Sequence, residues 1–67
     1  MSKQIGILGS GDVATILAAG FKQHGYDVRV GSRSPEKLAA WAAEAGVGTG
    51  TFAEVAAFGD IVVLAVL

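Results

Sequence analysis

The feature that most limits what this chain can become is a glycine turn set between two different periodicities. Ile5, Ile7 and Leu8 form a short apolar run that stops at Gly9, and from Asp12 onward apolar residues recur at helical spacing. Between them stands Gly9-Ser10-Gly11-Asp12-Val13-Ala14, which fits G-x-G-x-x-G/A. The spelling alone is weak, because many glycine-rich turns produce it. Directly after a strand and directly before a helix, it has a specific physical reading. Gly9 permits the tight turn, Gly11 has no Cβ to keep an anion from the backbone, and Ala14 lets the helix pack close to the strand. The helix N-terminus adds unpaired N–H groups and a partial positive charge. The plainer alternative is a turn whose glycines serve packing alone; the strand–turn–helix context favours a dinucleotide. Asp12 puts a carboxylate at the mouth of this anion site, where capping the helix is its expected role.

The rest of the chain repeats the alternation. Val13, Ile16, Leu17, Gly20 and Phe21 are expected on the apolar face of the first helix, which Gly25 closes. Tyr26 to Gly31 reads as a second strand. Ser34 is expected as the N-cap of a second helix, with Pro35 at its first position and Leu38, Trp41, Ala42 and Ala45 on its packed face. Gly46 ends it, and Val47 to Gly50 is a weak third strand. Thr51-x-x-Glu54 has the form of a capping box before a short helix that Gly59 stops. Ile61 to Leu67 is apolar on both faces. Phe21, Phe52, Phe58 and Trp41 are expected in the core, His24 at the end of the first helix, and Asp60 as a solvated or capping carboxylate.

The expected fold is therefore α/β: a Rossmann-type doubly wound parallel sheet, βαβαβαβ, with its first four strands in the order 3-2-1-4. Residues 1–67 read as the N-terminal part of one NAD(P)-binding domain, with no second domain in the chain. A strand such as Ile61–Leu67 at the sheet edge invites self-association through that edge.

Coenzyme choice is read at the end of the second strand. Domains that hold NAD place an Asp or Glu about 20 residues after the glycine turn, to bind the ribose 2′-hydroxyl. Here Gly31-Ser32-Arg33 stands in that place, and no acid occurs between Asp27 and Glu36. A hydroxyl and a guanidinium suit a 2′-phosphate, and Arg33 can also stack on the adenine face. Lys37 can add a second positive charge. The cofactor expected is NADP(H), with Arg33 and Lys37 as ordinary solvated charges the plainer alternative.

Composition removes other classes. Five Lys/Arg against six Asp/Glu give a net charge of −1, which offers nothing to nucleic acid or an acidic membrane. There is no cysteine and a single histidine, His24, so thiolate chemistry and a histidine-based metal site are not expected. The longest apolar run is far below the ~18–20 residues that cross a bilayer, and the expected location is the cytoplasm. A methyltransferase also uses a glycine turn, but wants an acid where Gly31-Ser32-Arg33 stands. A non-catalytic module that senses NADP(H) remains the alternative to an enzyme.

Gly6-Ile7-Leu8-Gly9-Ser10-Gly11-Asp12-Val13-Ala14, followed by Val30-Gly31-Ser32-Arg33 and Lys37, resembles the NADP-binding domain of deazaflavin-dependent NADP oxidoreductases. Related coenzyme-binding domains occur in pyrroline-carboxylate reductases and metalloreductases. The resemblance runs from Lys3 to Leu67, and its most specific part is Gly-Ser-Arg with a lysine four residues after the arginine. It implies that Gly9, Ser10, Gly11, Asp12, Val13, Ser32, Arg33 and Lys37 hold NADP(H), the last three near the 2′-phosphate. It also implies that Ala65 and Val66 line the nicotinamide side. The parent is then expected to be an NADP-dependent oxidoreductase exchanging hydride with a second substrate or a deazaflavin. No complete catalytic site, and no catalytic residue, is expected within the chain.

Overall fold

The two alternating periods become three packed layers. The computed structural model describes residues 3–9 and 11–65. Its elements run β1 (Gln4–Leu8), α1 (Asp12–Gln23), β2 (Asp27–Gly31), α2 (Pro35–Ala45), β3 (Gly48–Gly50), α3 (Phe52–Phe58) and β4 (Ile61–Leu64). All strand pairs are parallel, and the order is β3-β2-β1-β4. The expected order is thus the observed one: two connections lead away from β1 in one direction, and the third crosses back to its other side.

In-register neighbours in a parallel sheet share a face, so the pairing assigns both layers. Ile5 aligns with Val28 and Ile7 with Val30. These four join Ala14 and Ala18 of α1 in one buried cluster, against which Leu17, Phe21, Leu38 and Trp41 pack. Helices α1 and α2 therefore cover this face. The opposite face carries Gly6, Leu8 and Gly31, and here α3 lies almost on the backbone. A Cβ on Gly6 would come 2.6 Å from the Val55 carbonyl oxygen, so glycine is what permits that approach. Val55 itself is fully buried, and removing a side chain so enclosed costs about 2 kcal/mol.

Several expectations need correction. The packed stripe of α1 is Ala14, Leu17, Ala18 and Phe21, while Val13 is 54% and Ile16 70% exposed. Both stripes satisfy a helical period. The small alanines win because they let the helix axis approach the sheet, turning the bulkier Val13 and Ile16 outward. Phe21 is half-buried, edge-on to Tyr26 with ring centroids 5.8 Å apart. Phe58 is half-buried beneath the Arg29 guanidinium, which lies 4.3 Å from the ring centroid. Phe52 is no core residue: it is 36% exposed at the start of α3. Tyr26 precedes β2 rather than opening it; β4 spans Ile61–Leu64, and Val66 and Leu67 of the expected run lie outside the described residues.

The ends of the elements follow local chemistry. Thr51 and Glu54 form the expected capping box: the Thr51 N–H donates to Glu54 Oε1 at 2.9 Å, and the Glu54 N–H donates to Thr51 Oγ1 at 3.2 Å. The Thr51 N–H bond to the carboxylate holds Glu54 below its ordinary titration range, and the Thr51 hydroxyl acts the same way; desolvation opposes them, and the Arg29 charge adds to the lowering. Asp60 is a clasp. Its carboxylate accepts the Gln4 N–H at 3.2 Å while its own N–H donates to the Gln4 carbonyl at 2.7 Å, tying the start of β4 to the start of β1.

Candidate functional site

In a parallel α/β sheet the loops after the strands gather at one edge, and a crevice opens where the strand order reverses. That reversal falls at β1, whose neighbours are β2 and β4. The turn after β1 is the glycine motif. Gly9 is buried with φ 136°, a conformation that side-chain-bearing residues rarely adopt, and its N–H donates to the Gly31 carbonyl at 3.0 Å. The turn is thereby fastened to the end of β2.

Gly11 is the N-cap of α1, with φ −79° and ψ −176°, extended backbone open to any residue. A Cβ built on it would meet nothing within 4 Å. Neither conformation nor packing among the described residues asks for glycine here. The open space in front of it suits an anion drawn up against the backbone. Gly11 has no side chain with which to cap α1, and the first-turn N–H groups carry no intrahelical partner. Asp12 is thus not the expected cap: it occupies the first helical position, exposed, and acts only as a first-turn acid that complements the helix dipole. Val13 follows, exposed beside the same turn. Ala14 is fully buried against the sheet. Ser10 lies outside the described residues.

Beyond β2 the chain passes straight into Ser32, Arg33 and Ser34. Ser32 is only 6% exposed. Its N–H donates to the Gly50 carbonyl at 3.0 Å, and its Oγ accepts the Ser34 N–H at 3.2 Å. Ser34 stands at the N-cap of α2 as expected, but its side chain makes no capping bond; Ser32 organises the turn instead. Arg33 is exposed at the crest of this turn. Lys37, also exposed, sits in the first turn of α2, where its N–H donates to the Ser34 carbonyl at 3.0 Å. The structure therefore brings Ser32, Arg33 and Lys37 to one place, beside the glycine turn.

On the other side of β1, the Ala65 N–H donates to the Leu8 carbonyl at 2.8 Å, which carries the β4 pairing one residue past the strand. Ala65 is half-buried at the same edge; Val66 lies outside the described residues. Phe52, expected in the core, stands exposed at the end of β3 on this same edge. No group of three or more His, Cys, Asp or Glu that could hold a metal occurs among the described residues, and none of their helices is long and apolar enough to cross a membrane.

The open turn at the switch point of a β3-β2-β1-β4 parallel sheet defines a Rossmann-type nucleotide-binding domain. More narrowly, residues 4–67 match the family described as NADP oxidoreductase coenzyme F420-dependent. The chain belongs to that family. Among solved structures it is similar to a glutamyl-tRNA reductase from Methanopyrus kandleri, with a TM-score of 0.76 and 26% sequence identity. That likeness covers 98% of this chain and 18% of the reductase chain, so this chain spans less than a fifth of that protein's length.

Proposed function

We propose that this chain binds NADP(H), and serves as the coenzyme-binding part of an NADP-dependent oxidoreductase that exchanges hydride with a second substrate or with a deazaflavin. The observation that carries the reading is the pairing of the open Gly11 turn with an acid-free end of β2. The pyrophosphate lies against the turn of Gly9, Ser10 and Gly11 and the first N–H groups of α1, at Asp12 and Val13. The 2′-phosphate is met by Ser32, Arg33 and Lys37, where a carboxylate would have repelled it. Ala65 and Val66 border the nicotinamide. Hydride transfer is the coenzyme's own chemistry; the residues here bind and orient it.

The test is a calorimetric titration of the chain with NADPH and NADH at one fixed salt concentration. NADPH is expected to bind at least about tenfold more tightly, a difference of ~1.4 kcal/mol, and Arg33→Ala is expected to abolish the preference. Equal affinities in the unmodified chain would remove the NADP assignment. We also propose self-association through β4, which pairs with β1 on one side only and exposes Ile61, Val62 and Leu64.

A further inference from the structure

Three residues stand together at the site's edge without a role in the scheme above. Leu8 is in register with Gly31 on one side and with Leu64 on the other, so all three face α3. Leu8 is half-buried and Leu64 71% exposed. Phe52 closes the row. Its Cα would be 3.3 Å from a Cβ on Gly31, which puts the residue over the end of β2 rather than beyond the sheet.

This phenylalanine is not needed to cover the sheet. Val55 already fills the space above Gly6 and Gly31 and is completely buried. The backbone that carries the phenylalanine is nonetheless held firmly. It lies inside the capping box between Thr51 and Glu54, and the preceding strand end is joined to the Arg33 turn by the Ser32–Gly50 hydrogen bond. Gly31 and Gly50 are paired in the sheet, and Arg33 and Phe52 each lie two residues beyond that pair. An arginine and a phenylalanine, both exposed, thus stand just beyond the ends of two adjacent strands, with the apolar row of Leu8 and Leu64 beside them.

We propose that Phe52 is a purine-stacking residue, the apolar counterpart of Arg33 in holding the adenine ring of the bound coenzyme. The inference rests on the coenzyme reading above and extends it to the base. A planar heterocycle lies against the phenyl ring while the phosphate on its ribose meets Ser32, Arg33 and Lys37. Stacking of this kind tolerates any ring with a π face and is lost when the aromatic side is replaced by an aliphatic one.

The experiment titrates the chain, Phe52→Leu and Phe52→Tyr with adenosine 2′,5′-bisphosphate, a probe that carries the base and the 2′-phosphate but no nicotinamide, and records thermal unfolding of each. Phe52→Leu is expected to weaken binding by about fivefold or more, whereas Phe52→Tyr stays within about twofold of the parent and unfolding is unchanged in both. Leucine binding as tightly as phenylalanine overturns the proposal. So does an equal loss in both variants accompanied by a lower unfolding temperature, which makes Phe52 a packing residue. If the parent binds neither this probe nor NADPH, the coenzyme reading itself falls and takes the proposal with it.

Discussion

At Gly9 the backbone sits at φ 136°, so a side chain would strain the turn whatever surrounded it. At Gly11 the backbone is ordinary and the space in front is empty. The two glycines of one motif therefore respond differently to substitution. Gly11→Ala is expected to fold normally, with a loss of stability of about 1 kcal/mol or less, because alanine is a poorer N-cap than glycine. NADPH affinity is expected to fall about tenfold or more, because the new methyl group occupies the approach to the pyrophosphate. Thermal unfolding and calorimetry on the same sample read both quantities, and unchanged affinity would refute the account of the turn. Sequence alone reaches this motif because its meaning is local. It cannot reach the role of Ser32, whose near-complete burial and N–H bond to the Gly50 carbonyl depend on β3 lying alongside.

Helix α3 is short and depends on its first turn. The capping box was legible as Thr51-x-x-Glu54, since both partners lie within one turn of chain. What lies under the helix was not legible, because the approach of Val55 to Gly6 joins segments far apart in sequence. The same limit explains the misplaced face of α1: Ile16 and Ala14 both fit a helical period, and only the sheet decides between them. For α3 the box has a pH consequence. The Glu54 carboxylate is held below its ordinary range, so it stabilises the fold above that range, and the contribution disappears as the pH falls through the lowered value. Glu54→Gln keeps an acceptor for the Thr51 amide but cannot titrate. Thermal unfolding followed from neutral to acid pH is expected to show the parent losing stability relative to the glutamine variant. A difference that stays constant with pH would mean that the box does not depend on the carboxylate charge.

For the molecule as a whole, the β3-β2-β1-β4 order was legible from the alternation of periods, because few parallel arrangements accommodate it. The exposure of β4 was legible only in part: an edge was foreseen, whereas Leu64 standing more open than Val63 follows from the strand's register. Sedimentation is expected to give a mass above the monomer that rises with concentration, and Val62→Lys is expected to bring it back to the monomer. A single monomeric species at every concentration would contradict the edge pairing. The bonds that join the turns have a different kind of effect. Gly9 is fastened to Gly31, Ser32 to Gly50, and Ala65 to Leu8, so the segments leaving β1, β2 and β4 are each bonded through the backbone to the last residue of a neighbouring strand. These bonds form with the sheet itself and need no ligand. A coenzyme that enters such a preorganised rim loses little affinity to immobilising it, and a disturbance in one turn is passed to its neighbours as a shift of the whole rim.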